Sequence, residues 1–387
     1  MKIVHITLAG AYTEKMTYQE VLLSDENIKA GHDVIVIASC YCYENGKIIK
    51  VKPEDTILPN GKRLIRLRYC HYINDYISEK VRRAKSLYKI LSQIKPDVIF
   101  YHDVEGFSLM TAAKYKRNNP NTKFFVDTHS DKHNSAKGFI SKYILHKMIY
   151  HSFFRKSYKY IDKILYISEE TKQFLVDMHK ITDLEKLEFY PLGGEVLPRE
   201  MKKKYQTEIR KKLEIPNDNI LLVHSGKINE LKRTYELLTS FSEVNKDKMN
   251  LVIIGTIDND YYNQIRDLLK QKNVIYLGWL PSSELMKYIA AADLYLQPGS
   301  QSAVMQNSIC QGTPVCIFDY PSHKYYNKGN AFVIKNYDDI YDVFNRVLRE
   351  PTILSVMSEK SYELAKHLDY RTLAARITID NEDGGQT

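Results

Sequence analysis

Short apolar runs alternate with longer amphipathic stretches along most of the chain. In the first half, this pattern predicts strands at Lys2–Thr7, Asp33–Ala38, Val98–Tyr101, Lys123–Asp127 and Lys163–Ile167. Between them, helical spacing is clearest at Tyr18–Ala30, which Gly31 ends, and at Lys80–Ile94, which Lys95-Pro96 ends. Strands that alternate with helices are typical of a parallel sheet with helices on both faces.

The second half repeats this scheme. Its predicted strands are Leu221–His224, Leu251–Ile254, Val274–Leu277, Leu294–Leu296 and Val315–Phe318, with helices at Thr234–Val244 and Tyr261–Lys270. We therefore expect an α/β protein with two doubly wound domains, residues 1–197 and 218–364, facing a central cleft where ligands bind at the carboxyl ends of the strands. The Lys-rich, Pro-bounded stretch 198–217 is expected to be the linker. Residues 365–387 are expected to form a C-terminal helix that returns to the first domain, plus a disordered tail.

The segment Leu294–Val315 suggests a nucleotide site. It reads as a buried strand, a polar loop that opens at Pro298-Gly299, a helix at Ala303–Cys310 and a turn into the next strand. The start of a helix offers unpaired N–H groups and a partial positive charge, which suit a phosphate.

Composition limits the function classes. The 387 residues include five cysteines without CxxC spacing, which disfavours disulfides and zinc sites and fits a reducing cytosol. The first residues predict a strand rather than a signal peptide, and no apolar run approaches the roughly 18 residues of a membrane-spanning helix. We expect a cytoplasmic protein.

The net charge of +9 is unevenly distributed, with basic clusters at Arg63–Lys95 and Lys132–Lys163. Two interpretations stay open: solvated helix faces, or contact with an anionic membrane surface or a lipid diphosphate. The second would make the protein peripheral on the inner face of the cell membrane. Nucleic acid is not expected as a partner, because no nucleic-acid-binding motif accompanies the charge.

A basic loop follows the first strand of the second half. Ser225 and Gly226 precede Lys227, and Lys232 follows five residues later. A glycine permits close approach of the backbone, and two cations on a loop-to-helix turn suit a diphosphate, although an ordinary basic loop would look the same.

With this loop, nearly the whole chain resembles the retaining nucleotide-sugar glycosyltransferases of family 4, which have the GT-B fold. The matching segments occur in the family's order: Gly31-His32-Asp33-Val34, Lys95-Pro96-Asp97-Val98, Ser225-Gly226-Lys227 with Lys232, Leu277-Gly278-Trp279, and Gly312-Thr313-Pro314-Val315. The resemblance implies that Lys227 and Lys232 clamp the donor diphosphate, and that His129, in Val-Asp-Thr-His-Ser-Asp, faces the donor sugar. It also implies that Gly10 belongs to a loop near the phosphates.

The chain departs from the family at the donor loop. The family usually has two glutamates eight positions apart, and here Gly299 and Asn307 occupy those positions. The loop is also shorter. We expect amide and hydroxyl groups to replace the carboxylates, since both can hydrogen-bond sugar hydroxyls without charge. The residues expected to bind the donor are Gly10, Ser225, Gly226, Gln301, Ser302, Ala303, Val304, Gln306 and Asn307.

The resemblance implies a glycosyltransferase without an enzymic nucleophile, in which Lys227, Lys232 and His129 stabilise charge. The donor is expected to be a nucleotide sugar, namely a UDP-sugar. The acceptor is expected to be a saccharide or a lipid-linked saccharide in bacterial surface polysaccharide assembly. No cofactor or metal is expected, because the Asp258-Asn259-Asp260 triplet suits a turn and a helix cap. Two alternatives stay open. One is a catalytically silent binding or scaffold subunit, motivated by the missing acidic pair, and the other is a sugar-nucleotide epimerase of the same architecture.

Overall fold

The computed structural model describes residues 1–14, 16, 18–44, 47–131, 140–244, 246–300 and 302–378. The chain divides into two compact units: unit 1 is Met1–Pro191 with the segment from Tyr370 onward, and unit 2 is Leu192–Asp369. Each contains a mainly parallel sheet. This confirms two doubly wound, Rossmann-like domains, while the cleft between them stays a prediction.

Unit 1 opens with a strand and a helix and continues as an alternation of the two. Its strands are β1 (Lys2–Thr7), β2 (Asp33–Ser39), β3 (Tyr41–Glu44), β4 (Lys47–Lys50), β5 (Glu54–Ile57), β6 (Arg63–Leu67), β7 (Val98–His102), β8 (Lys123–Thr128), β9 (Lys163–Tyr166) and β10 (Leu187–Phe189). Its α-helices before unit 2 are α1 (Gln19–Lys29), α2 (Asp75–Val81), α3 (Leu87–Ile94), α4 (Phe107–Asn118), α5 (His151–Tyr158) and α6 (Glu169–His179). A π-helix, Ile140–Tyr150, runs directly into α5.

The sheet of unit 1 has the order β10-β9-β8-β7-β1-β2-β6-β5, and β5 is antiparallel to β6. Alternate residues of each strand enter different cores, as the period of two requires. Val4 and Ile6 of β1 pack with residues of α3 and α4. Ile3 packs on the other face with Leu23 of α1.

Unit 2 repeats the alternation. Its strands are β11 (Ile220–Ser225), β12 (Met249–Ile254), β13 (Val274–Tyr276), β14 (Leu294–Gln297), β15 (Val315–Phe318) and β16 (Ala331–Ile334). Its α-helices are α7 (Arg199–Lys212), α8 (Thr234–Glu243), α9 (Asn259–Ile265), α10 (Ser282–Ala291), α11 (Ala303–Cys310), α12 (Asp339–Arg349) and α13 (Thr352–Leu368). All six strands are parallel, in the order β13-β12-β11-β14-β15-β16.

The helix predicted over Lys80–Ile94 is wrong in its first half. Helix α2 ends at Val81, and the next residue, Arg82, has the left-handed φ of 52°. The next residues bond elsewhere: the N–H of Ala84 reaches the hydroxyl of Ser108, and that hydroxyl donates to the Arg82 carbonyl. A sequence window contains no sign of this partner on α4.

The expected linker, 198–217, is corrected by the structure, because most of it forms α7 inside unit 2. The helix lacks an apolar run, yet it buries Ile209 together with the stems of two cations. Lys202 donates to the Ala290 carbonyl at 2.8 Å and to the Thr313 hydroxyl at 2.8 Å, and burial lowers the pKa of Lys202 to about 7. The face of α7 that packs on the rest of unit 2 is therefore polar, so apolar periodicity does not predict this helix.

The C-terminal segment contributes α14 (Tyr370–Ala375) to unit 1, where it packs on α1. Leu373 and Ala374 join the core that contains Leu23. The tail that was expected to be disordered, residues 381–387, lies outside the described residues. Within the described part of the chain, no helix has the length and apolarity to cross a bilayer.

Candidate functional site

In unit 2, β11 and β14 are neighbours although two strands lie between them in sequence. The strand order reverses direction at this pair, so the loops that follow β11 and β14 leave the sheet side by side. Such a switch point, at the carboxyl ends of the strands, is where open α/β sheets bind ligands. The N–H of Ser300 in the second loop donates to the Leu231 carbonyl in the first, at 2.7 Å. The predicted phosphate-binding loops are thus held together.

The packing of these two loops leaves no room for a side chain at Gly299. A Cβ at Gly299 would lie 2.1 Å from the Leu231 carbonyl oxygen and 2.6 Å from the carbonyl carbon of Lys232. Both are backbone atoms that cannot rotate away. A side chain at this position would therefore separate the two loops.

The two predicted clamp lysines differ in environment. Lys232 is partly buried, and its side chain crosses Gly226 so closely that a Cβ there would lie 3.0 Å from Lys232 Cε. Its ammonium has no ion pair among the described residues, and burial lowers the pKa of Lys232. Lys227 is 70% exposed and lies 3.4 Å from Asp258. A bound anion would therefore stabilise the charge of Lys232 more than that of Lys227.

The start of α11 forms the other side of the site. Ser302 is its N-cap, and the Ser302 hydroxyl accepts a hydrogen bond from the Val304 N–H at 3.3 Å. Ala303 is exposed at the first helical position. Helix α11 therefore presents its positive end beside the lysine loop. Gln301, the remaining predicted contact in this loop, lies outside the described residues.

Three predicted donor contacts have internal partners. Gln306 is buried, and with its amide nitrogen facing inward it donates to the carbonyls of Ser302 and Ala303 at 3.0 and 3.1 Å. The Asn307 amide donates to the Ala303 carbonyl at 3.2 Å. The buried Ser225 hydroxyl lies 3.1 Å from the Tyr295 hydroxyl. These side chains support the site, and we expect the backbone at Ser225–Gly226 to approach the donor.

Sequence reasoning missed Gln297, the last residue of β14. It is 1% exposed, and neither its amide oxygen nor its amide nitrogen has a hydrogen-bond partner among the described residues. A buried amide without a partner costs free energy, so it is unusual in a folded protein. The signal was available: a glutamine that ends an apolar strand directly before the Pro298-Gly299 break.

Unit 1 has its own switch point, between β1 and β7. Gly10 lies in the exposed loop after β1, and its carbonyl accepts a hydrogen bond from Ser39 at 2.7 Å. A cavity of about 150 Å³ adjoins Gly10 and is lined by Tyr41 and Tyr69, whose rings stack at 5.9 Å. Two aromatic side chains therefore line the cavity beside Gly10.

A buried hydrogen-bond chain ends beside His129. The Asn27 amide nitrogen donates to the Ala374 carbonyl at 3.2 Å, so its oxygen must accept from His5 Nε2 at 3.0 Å. Burial, with the charge of His102, lowers the pKa of His5 well below its ordinary value. Neutral His5 therefore accepts at Nδ1 from His102 Nε2, 3.0 Å away. His102 Nδ1 lies 2.7 Å from Asp127 Oδ2, so the His102 ring bridges His5 and Asp127.

Asp127 in turn fixes the charge of His129. Burial opposes ionisation of Asp127, but His102 and His129 outweigh it and hold the pKa of Asp127 well below its ordinary value. His129 Nε2 lies 3.6 Å from Asp127 Oδ2. Burial opposes the charged form of His129 as well, yet the attraction of Asp127 raises the pKa of His129 to about 9. At neutral pH, His129 is a cation and a hydrogen-bond donor, not a base.

Asp103, at the end of β7, has the left-handed φ of 85°, which is rare for a residue with a side chain. Its N–H donates to Asp127 Oδ1 at 2.9 Å. Burial and the charge of Glu105 raise the pKa of Asp103 to about 7. This strain, beside His129, is typical of a functional site.

We expect Gly299→Ala to destabilise unit 2 by about 1–3 kcal/mol, since the new methyl group overlaps backbone. Gly10→Ala is the matched control, because a Cβ there meets no atom within 4 Å and neither glycine has a positive φ. Denaturant unfolding measures both. Equal stability of the two variants would show that the loops do not need this contact.

We expect Asp127→Asn to lower the pKa of His129 from about 9 to near or below its ordinary value, because burial then acts without the carboxylate. An NMR titration of the His129 ring measures the shift, with the exposed Asp75→Asn as the control. Should the variant not fold, the wild-type titration decides, since an ordinary pKa for His129 there would contradict the account.

The family model described as glycosyl transferases group 1 matches residues 205–364, and the model described as Glycosyltransferase Family 4 matches residues 21–193. The chain is 28% identical over 199 residues to the alpha-monoglucosyldiacylglycerol synthase of Streptococcus pneumoniae, covering 49% of this chain and 44% of that protein. It is 28% identical over 108 residues to TuaC of Bacillus subtilis, a putative teichuronic acid biosynthesis glycosyltransferase, covering 28% of this chain and 26% of that protein. The chain thus spans less than half the length of these relatives.

Solved structures share the fold. HepE from Anabaena, crystallised in complex with UDP, superposes with a TM-score of 0.65 at 12% identity, covering 98% of each chain. WaaG, described as a glycosyltransferase involved in lipopolysaccharide biosynthesis, has a TM-score of 0.61 at 16% identity over 100% of both chains. Together, the two family models match most of both units, and the chain belongs to the group 1, family 4 glycosyltransferases of the GT-B fold.

Proposed function

We propose that this protein transfers a sugar, with retention, from a nucleoside diphosphate sugar to a saccharide or lipid-linked saccharide acceptor. The observation that carries the proposal is the pair of joined loops in unit 2, where the partly buried Lys232, without an ion pair among the described residues, adjoins the positive end of α11. A diphosphate would satisfy both groups. The two features lie on neighbouring strand ends, which supports a single ligand.

We propose a UDP-sugar as the donor. HepE, with the same fold, has been crystallised with UDP and with UDP-glucose, which supports a uridine nucleotide. The curated relatives are named for glucolipid synthesis and for teichuronic acid biosynthesis. These names support an acceptor that belongs to bacterial surface polysaccharide or membrane lipid assembly, and with it a cytoplasmic protein that associates peripherally with the membrane.

In the proposed reaction, the bond between the anomeric carbon and the diphosphate breaks while the acceptor oxygen bonds to that carbon. The acceptor proton passes to the leaving diphosphate. Lys232 and the N–H groups at the start of α11 stabilise the charge on the diphosphate, with Lys227 at the edge of the site. We propose that His129 donates a hydrogen bond to the donor sugar, since its pKa of about 9 leaves no basic nitrogen to take a proton at neutral pH. No metal or cofactor takes part in this proposal.

We expect Lys232→Met to weaken UDP-glucose binding about 10- to 100-fold, the value of one charge-assisted hydrogen bond. Lys227→Met should have a smaller effect, because Lys227 is exposed and has Asp258 nearby. Isothermal titration calorimetry measures both, with Lys248→Met in unit 2, which removes an exposed lysine paired with Asp218, as the control.

Donor hydrolysis and the anomeric configuration of the product, read by NMR, test the chemistry. Donor binding without turnover would favour the silent binding subunit. Wild-type protein that binds no uridine, guanosine or adenosine diphosphate sugar would contradict the transferase, and unchanged affinity in Lys232→Met would remove Lys232 from the site.

A further inference from the structure

A cavity of about 440 Å³ lies at the amino ends of β11, β14 and β15, on the edge of the unit 2 sheet opposite the candidate donor loops. Its lining includes Ile220, Asp293 and Pro314, which open or directly precede these strands, together with residues of α7 and α13. A volume of this size is typical of small-molecule sites. None of its lining residues belongs to the candidate donor site, so a ligand in this cavity is a second ligand.

Lys202 of α7 lines this cavity and is an exception among the buried cations of the described residues. The other three are Lys62, Arg66 and Arg210, and each lies 2.5–2.7 Å from a carboxylate oxygen. Lys202 is as buried as Arg210, with 8% of its surface exposed, but it forms no ion pair with a described residue. A buried charge without a counterion costs free energy, and burial accordingly lowers the pKa of Lys202 to about 7.

The hydrogen bonds of Lys202 leave one side of its ammonium weakly bonded. Its Nζ donates to the Ala290 carbonyl and to the Thr313 hydroxyl, both at 2.8 Å, while the Ala292 carbonyl lies 3.5 Å away. All three acceptors are neutral, and 3.5 Å is long for a hydrogen bond. Of these three residues, Ala292 is the one that lines the cavity. The weakly bonded side of the ammonium therefore lies next to the cavity.

A second polar group of the cavity also lacks a partner. Tyr362 of α13 lines the cavity and is buried, and its hydroxyl has no hydrogen-bond partner among the described residues. Its ring cannot move toward the sheet, because a Cβ at Gly312 would already lie 2.2 Å from it. Buried hydroxyl groups are nearly always hydrogen-bonded in folded proteins. One polar anion in the cavity would give both Lys202 and Tyr362 a partner.

Most other charged groups that line the cavity are already neutralised. Their ion pairs are Arg210 with Asp293, Arg199 with Glu359, and Asp218 with Lys248. The exposed Lys203 adds a further positive charge, and Gln206 and Ser355 add amide and hydroxyl groups. This combination suits a small anion that also carries hydroxyl groups.

We propose that this cavity binds a small hydroxylated metabolite through its phosphate or carboxylate group, with Lys202 as the residue that contacts the anion. The anion takes the place of the carboxylate that the other three buried cations have. Hydroxyl groups of the metabolite bond to the Tyr362 hydroxyl and to the amide side chains. The site is separate from the donor loops, so it does not depend on the proposed function.

Isothermal titration calorimetry of the full chain tests the proposal, with glucose 1-phosphate, gluconate and glucose as the probes. Saturating UDP keeps the phosphate probe out of the donor loops, and Lys232→Met serves the same purpose without UDP. We expect at least one of the two anions to bind, which identifies the anionic group, and glucose not to bind. Lys202→Met should weaken binding at least about tenfold, the value of one charge-assisted hydrogen bond.

Ser355→Trp and Val356→Trp form a matched pair that leaves Lys202 in place. Ser355 lines the cavity, whereas its neighbour Val356 is 62% exposed and does not line it. Both residues are exposed on α13, so both variants should fold. The first should block binding because the indole fills the cavity, and the second should keep the wild-type affinity.

Proton uptake separates contact with Lys202 from binding elsewhere. At pH 8 most of Lys202 is neutral because its pKa is about 7, so an anion that binds its ammonium should bring about 0.9 proton with it. Affinity should therefore fall as the pH rises above 7. Titrations in HEPES and in Tris, whose ionisation enthalpies differ, measure this uptake, and Lys202→Met should abolish it.

Four results would overturn the proposal: no binding of either anion, glucose binding as tightly as the anions, full affinity in Ser355→Trp, or wild-type binding without proton uptake. Anion binding that Lys232→Met abolishes and Ser355→Trp leaves intact would place the anion at the donor loops instead. If Lys202→Met does not fold, Ser355→Trp and proton uptake by the wild type decide.

Discussion

The close backbone packing at the unit 2 switch point is the constraint on which the candidate site depends. Like Gly299, Gly255 after β12 has no room for a side chain, since a Cβ there would lie 1.8 Å from the Gly226 carbonyl oxygen. Loops packed this tightly have no room for side chains between them. Their described residues present the positive end of α11 and the long side chain of Lys232. The local chemistry is therefore that of an anion site.

Unit 1 obtains a fixed charge in a different way. A chain of hydrogen bonds runs from the Ala374 carbonyl through Asn27, His5 and His102 to Asp127. The donor or acceptor role of each side chain in this series fixes the role of the next side chain. The result is a carboxylate held beside His129, and so a histidine that stays cationic at neutral pH. Because Ala374 belongs to α14, the C-terminal segment takes part in setting this charge.

The sequence predicted the strands of both sheets that lie next to the switch points, because these strands are continuous apolar runs between turn residues. The helix α11 was predicted with its observed ends, since Pro298-Gly299 and the turn at Gly312 delimit it. Strand β6 was missed, because Arg63 and Arg66 interrupt its apolar residues and their partners lie on other elements. Helix α7 was taken for a linker for a related reason: its buried side is largely made of lysine and arginine stems.

At the site, the residues themselves pointed to the basic loop with its two lysines and to the start of α11, and the resemblance to a family added the role of His129. The sequence could not separate Lys232 from Lys227, since burial and ion pairing follow from tertiary contacts. Gln306 and Asn307 stood where donor contacts were expected, yet hydrogen bonds within α11 already engage them. The hydrogen bonds that join His5, His102 and Asp127 could not be predicted from the sequence either, because these residues lie on three different strands that only the sheet order brings together.

A crystal structure of the protein with bound UDP tests the central claim most directly. The account predicts the diphosphate at the unit 2 switch point, with its oxygens within about 3 Å of Lys232 Nζ and of the N–H groups that open α11. UDP bound elsewhere, or a diphosphate that contacts neither group, would contradict it.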